Sequence, residues 1–122
     1  MSAASMILVV APDHGLRRSL VFVLEADGFD VESHVTLDDA LASPLDQSIV
    51  CAIVDEDATR SRPTELQDLR RLGKPVVLLA AAPSIASDIM GLTVLPKPFL
   101  GVSLIRAVGH AIASGWPASG PT

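Results

Sequence analysis

Four short runs of apolar residues and one alternating segment occur at regular intervals along the chain. The apolar runs cover residues 6–10, 49–54, 76–80 and 92–95. Short continuous apolar runs that are bounded by Gly, Pro or polar residues are typical of strands buried on both faces. In residues 29–34 apolar and polar side chains alternate instead. This alternation predicts a strand with one wetter face at the edge of a sheet.

Segments with helical periodicity follow each of these runs. Leu16, Leu20 and Val23, for example, share one helical face before Asp27 and Gly28 provide a stop. Thr36 and Pro63 are suited to the first turns of two later helices. The fourth helical segment has barely two turns between Pro83 and Gly91. The five predicted helices cover approximately residues 16–26, 37–42, 63–72, 84–90 and 100–112.

Strict alternation of five strands and five helices predicts an α/β fold with a parallel sheet covered on both faces. The 122 residues fit one domain, which we place at residues 6–113. Residues 1–5 are expected to form a disordered N-terminus and residues 114–122 a flexible tail. Hydrophobic residues make up 49% of the chain and aromatic residues only 3%, so the core must be mainly aliphatic.

The charge and cysteine content exclude several functions. The net charge is -5, and the longest basic runs are Arg17-Arg18 and Arg70-Arg71, so we expect no direct contact with nucleic acid. No apolar run approaches the ~20 residues that a membrane-spanning helix needs. The single cysteine, Cys51, lies in a predicted strand, where we expect a small core residue. A lone unpaired cysteine is compatible with a cytoplasmic protein.

Charged residues stand just beyond the carboxyl ends of three predicted strands. Asp13 follows the first strand, Asp55 closes the third and Lys97 follows the fifth. In parallel α/β sheets these ends meet at one edge, where functional groups gather. A carboxylate after six apolar residues needs a cation, a metal or solvent nearby, because an unpaired buried charge is costly. We therefore expect Asp55 and Lys97 to share a pocket.

The chain resembles a response-regulator receiver domain, the phosphoaspartate switch of bacterial two-component signalling, in an atypical form. Three motifs carry the resemblance: the strand 7–10 followed by an acidic turn and Leu16-Arg17, the strand ending in Asp55, and the sequence 95–99, Leu-Pro-Lys-Pro-Phe. The resemblance covers residues 6–112. It implies a flavodoxin-like, doubly wound five-stranded sheet in the order 2-1-3-4-5, with the fourth helix shortened. It also implies that Asp55 is the phosphoacceptor and that Lys97 neutralises the phosphoryl oxygens.

The sequence departs from the family pattern at the Mg²⁺ site. Ala11 and Pro12 stand where the family usually has two acids that hold Mg²⁺. Asp13 and Asp55 could then form only a weak Mg²⁺ site, with the backbone of Asp57 as a further candidate ligand.

Three other positions weaken the usual switch. Ala80 stands where the family has a switch hydroxyl, and neither Thr93 nor Val94 supplies the coupling aromatic residue.

Asp13 has an alternative interpretation as the N-cap of the first helix. The acids beside Asp55 at positions 56 and 57 are candidate substitutes for the missing Mg²⁺ ligands, and the alternative interpretation is a solvated acidic loop.

Two functions follow from the resemblance, neither of them enzymatic. The first is a stand-alone receiver that accepts a phosphoryl group on Asp55 from a histidine kinase or phosphotransfer protein and signals by contact with a downstream protein. The alternative is a phosphorylation-independent pseudo-receiver that acts as an adaptor, with Lys97 permanently paired to Asp55. A second copy of the chain is a further candidate partner. A flavin- or nucleotide-binding protein on the same sheet is a third interpretation, but residues 11–15 lack a glycine-rich phosphate loop.

Overall fold

The computed structural model of the chain describes residues 5–42, 47–58, 69–80, 93–97, 99 and 101–114. A parallel five-stranded sheet in the order β2-β1-β3-β4-β5 organises them, which confirms the predicted topology. The strands are β1 Met6–Val10, β2 Asp30–His34, β3 Ile49–Asp55, β4 Val76–Ala80 and β5 Thr93–Pro96. The helices are α1 His14–Ala26, α2 Leu37–Leu41, α3 with its described residues 69–71, and α4 Gly101–Ser114.

The two faces of the sheet bury two separate aliphatic clusters. Side chains alternate between the faces of a strand, so Ile7 and Val9 of β1 enter one cluster and Leu8 and Val10 enter the other. The first cluster packs under α1 and α4, and the second includes residues of α2 and α3. The continuous apolar runs in the sequence are explained by this burial on both faces.

Helix α1 has clear signals at both ends. Asp13 is its N-cap, and the Asp13 carboxylate accepts a hydrogen bond from the Leu16 N–H at 2.7 Å. The helix ends at Ala26, and Gly28 then adopts a φ of 98°, which favours glycine over residues with a Cβ. Leu20 and Leu24 are buried against the sheet. The predicted helix therefore forms, beginning two residues earlier than its apolar periodicity indicates.

Strand β2 lies at the edge of the sheet, as its alternating pattern predicts. It carries a 2.8 Å hydrogen bond between Nε2 of His34 and Oε2 of Glu32. Helix α2 follows, with the Thr36 side chain accepting a hydrogen bond from the Asp39 N–H at 3.1 Å. This helix ends at Leu41, one residue before the predicted end.

Several predictions fall outside the described part of the chain. They concern the shortened fourth helix at 84–90, the beginning of the third helix at 63–68, and most of the two termini. The described end of α3 places Leu69 and Leu72 in the core, and Gly73 follows it with a φ of 68°. The domain boundaries at 6 and 113 stay predictions. None of the helices within the described residues is long and apolar enough to cross a membrane.

Candidate functional site at the carboxyl edge of the sheet

Asp55 is the last residue of β3, and its side chain is only 1% exposed. It is the one charged or polar residue classed as buried in the described part of the chain. The strand carries it there because Val54 pairs with Val10 of β1 and Asp55 itself pairs with Leu79 of β4. Hydrophobic strand pairing on both sides therefore fixes a carboxylate at a position that excludes water.

Lys97 reaches Asp55 from the far side of β4. Its N–H donates to the Ala80 carbonyl at 2.9 Å, which anchors the residue directly after β5. Its Nζ lies 2.5 Å from Oδ1 of Asp55. Strands β3 and β5 are two sheet spacings apart, about 10 Å, a gap that the lysine and aspartate side chains span together. The predicted meeting of these two side chains is confirmed, whereas their roles in phosphoryl chemistry stay predictions.

The Asp55 carboxylate is poorly compensated despite this ion pair. Burial raises the pKa of the Asp55 carboxyl above its ordinary value, while contact with Lys97 and the charge of Lys97 lower it less strongly. The charges of Asp57 and Glu56 raise the pKa further. Within the described residues, Oδ2 has no hydrogen-bond partner. The site therefore holds one buried carboxylate that favours its protonated form more than a solvated aspartate would.

Asp13 takes the N-cap role that the sequence offers as the alternative to metal binding. Its side chain is exposed and is used to cap α1. The preceding residues cannot replace it, because Ala11 is buried and Pro12 carries no ligating group. Arg17 closes this turn by donating to the carbonyls of Ala11 at 2.8 Å and Pro12 at 3.3 Å. A fixed guanidinium therefore occupies the turn where the family pattern has acids.

These residues do not fit Mg²⁺. The ion prefers octahedral oxygen coordination with one or two protein carboxylates, and nearby positive charge opposes its binding. Across the described ranges, no group of three or more His, Cys, Asp or Glu side chains is arranged to hold a metal. Asp55 is already paired with Lys97, and Asp13 caps a helix. The predicted role of the Asp57 backbone as a ligand stays a prediction; Asp57 lies in the 3-10 turn Glu56–Ala58.

Sequence analysis missed a groove beside the ion pair. A cavity of about 610 Å³ opens between α1 and the start of α4. Its apolar walls and its one ammonium group come from Leu16, Leu20, Val23, Phe99, Leu104 and Lys97. Gly101 also lines it, and a Cβ at that position would lie 3.4 Å from Val23. In the sequence, the only indication of this groove is a glycine, Gly101, at the start of the last helix. Whether that glycine leaves a groove depends on how α4 crosses α1, which the sequence pattern does not show.

Cys51 belongs to the core and takes no part in the site. It is fully buried in β3, as predicted. Burial raises the pKa of its thiol to about 12, so the sulfur stays protonated and weakly nucleophilic at neutral pH.

Solved structures with the same architecture include response-regulator proteins. A response regulator receiver protein from Sinorhizobium medicae WSM419 superimposes with a TM-score of 0.75 and 21% identity, over 90% of this chain and 95% of the other. The chemotaxis protein CheY4 of Vibrio cholerae gives a TM-score of 0.70 and 19% identity, over 89% of this chain and 99% of the other. At these identities the likeness shows the fold alone. No protein-family model matches the chain.

The sheet order and the pairing of Asp55 with Lys97 at its carboxyl edge match a receiver domain, and the chain belongs to the response-regulator receiver family. A relative with higher sequence identity than these solved structures is the Transcriptional regulator protein FixT of Rhizobium meliloti (strain 1021). It is 35% identical over 109 residues, which covers 88% of this chain and 93% of the relative.

Proposed function

We propose that this receiver domain is a phosphorylation-independent interaction module, in which the Asp55–Lys97 ion pair takes the place of a metal-dependent phosphoryl switch. The 2.5 Å contact between Nζ and Oδ1 at a nearly inaccessible carboxylate is the observation that carries the proposal. Lys97 supplies the positive charge that an ionised Asp55 requires, so the folded domain does not need a bound cation at this edge.

Three features of the site make phosphoryl transfer to Asp55 unfavourable. The carboxylate is 1% exposed, so a phosphodonor reaches it only after the edge opens. Its raised pKa reduces the fraction of the nucleophilic anion. Ala11 and Pro12 provide no carboxylate that could bring a cation to the incoming phosphate.

The partner of such a module is a protein. The relative from Rhizobium meliloti carries the name of a transcriptional regulator. The present chain has a net charge of -5 and no basic stripe, so an effect on transcription would pass through another protein and not through direct DNA contact. A histidine kinase, a phosphotransfer protein or a downstream regulator in the cytoplasm is the class of partner we propose, and we assign the domain no enzymatic activity.

Acetyl phosphate at high Mg²⁺, followed by intact mass spectrometry, tests the proposal. We expect the wild-type protein to keep its unmodified mass under conditions that phosphorylate a conventional receiver run in parallel. Asp55→Asn is the matched control, because it removes the acceptor oxygen with little change in shape. A phosphate adduct on the wild type that disappears in Asp55→Asn would show that phosphorylation occurs and would sink the proposal.

Phosphoryl acceptance on Asp55 is the second candidate function. It is favoured by the unpartnered Oδ2, which lies at the strand end where the family resemblance places the acceptor. In that reaction a carboxylate oxygen attacks phosphorus, the bond from phosphorus to the donor oxygen breaks, and an acyl phosphate forms while acetate leaves from acetyl phosphate. Lys97→Ala distinguishes this candidate further, because loss of the ammonium should slow adduct formation without removing the acceptor.

A further inference from the structure

Helix α1 presents an exposed face with an aromatic residue at its centre. Phe22 is 74% exposed, the most exposed of the large hydrophobic residues in the described part of the chain. Arg18 and Glu25 lie four residues before and three residues after it, and both are exposed. These spacings place the three side chains on one face of a helix. Burial of Leu20 and Leu24 turns this face away from the sheet.

The charges on this face have no partner within the described ranges. Arg18 and Glu25 are two helical turns apart, about 10 Å along the axis, which is too far for an ion pair on the same helix. No described residue forms an ion pair with either of them. A solvent-exposed phenylalanine between two exposed charges of opposite sign is complementary to its own inverted copy.

We infer that this face of α1 binds a second copy of the chain through a two-fold axis beside Phe22. In an antiparallel pair of α1 helices related by that axis, Arg18 of each copy faces Glu25 of the other, and the two Phe22 rings meet between the ion pairs. The same contact is made twice, so the interface closes on itself as a dimer. This inference goes beyond the proposed function and does not depend on the state of Asp55.

The surroundings of the face suit a small interface. Ser19 and Ala26 are exposed on the same side of α1 and carry small side chains, which lets two helices approach closely. Ser19 and Val23 also form a wall of the 610 Å³ groove, and Val102, 60% exposed, follows the groove residue Gly101. The second copy covers this adjoining apolar surface. One helix pair buries less than a standard interface, so the dimer is weak and depends on concentration.

Sedimentation equilibrium from low micromolar to near-millimolar protein tests the inference with charge-reversed variants. We expect the wild type to dimerise with rising concentration. Arg18→Glu and Glu25→Arg should each lower the association constant about tenfold or more, because each puts like charges together twice. An equimolar mixture of the two variants should recover association, since the heterodimer restores opposite charges at both contacts. Circular dichroism verifies that each variant is folded.

Arg70→Glu provides the matched control, because it reverses an exposed charge on α3, which packs on the opposite face of the sheet from α1. It should leave dimerisation unchanged, and Phe22→Ser should abolish it. A wild type that stays monomeric throughout the range would overturn the inference and leave the face to a different protein. Association that survives both single reversals, or that the mixture fails to recover, would overturn it as well by placing the dimer contact elsewhere.

Discussion

Asp55 combines burial of a charge with a single nearby cation. An ion pair in a water-poor environment recovers only part of the desolvation cost, and a carboxylate oxygen without a hydrogen bond adds to that cost. Asp55 is held at this position because it pairs with Leu79 of β4 and because the preceding residue, Val54, is entirely buried in the core. We therefore expect the Asp55 side chain to contribute little to the stability of the fold or to reduce it.

The pH dependence of stability follows from the raised pKa of Asp55. Between the unfolded pKa, about 4, and the higher folded pKa, the native state binds more protons than the unfolded state, so the free energy of unfolding falls as pH rises. Asp55→Asn removes this loss. We expect the variant to equal the wild type or exceed it by about 1 kcal/mol at pH 7, because the amide avoids the desolvation cost of the carboxylate and Lys97, which is 25% exposed, keeps access to water.

Urea denaturation of both proteins between pH 4 and pH 7 checks this expectation. The difference in unfolding free energy should shift in favour of Asp55→Asn as pH increases. Asp30→Asn is the control, because it removes the same charge from an exposed position in β2. A wild type that gains stability relative to Asp55→Asn as pH rises would show that the ion pair more than offsets burial.

At the scale of elements, the turn between β1 and α1 explains both a success and a failure of sequence analysis. The strands could be predicted because continuous burial imposes an unmistakable apolar run. The role of Asp13 could not be decided from the sequence, since the same carboxylate suits both a helix cap and a metal site. The choice between the two depends on the conformation of the loop. The contact of Arg17 with the Ala11 carbonyl likewise depends on loop geometry that no local pattern encodes.

Substitutions at Asp13 separate these two roles. Asp13→Ala should destabilise the domain by about 1 kcal/mol, because the Leu16 N–H loses its acceptor, whereas Asp13→Ser should retain most of the stability. Urea midpoints with and without Mg²⁺ measure both effects. Mg²⁺ should leave the midpoints of the wild type and both variants unchanged. A rise confined to the wild type would identify Asp13 as a metal ligand.

At the scale of the whole molecule, topology brings distant residues together. Asp55 and Lys97 are 42 positions apart, yet parallel strands bring both to one edge, so their meeting could be predicted from the order of elements. The exposed face of α1 could not be predicted from the sequence, because residues 20–24 are all apolar. Only the way in which α1 crosses the sheet determines which of these side chains is exposed to solvent. The groove beside α4 is also a property of helix packing.

The most direct test of the account is a Mg²⁺ titration of the ¹⁵N-labelled protein followed by two-dimensional NMR. If the Asp55–Lys97 pair replaces the metal, backbone signals of Asp55, Lys97 and residues 11–13 should show no saturable shift, and the wild type should respond like Asp55→Asn. Saturable shifts at these positions that vanish in Asp55→Asn would contradict the account, because they would show a working cation site at the edge of the sheet.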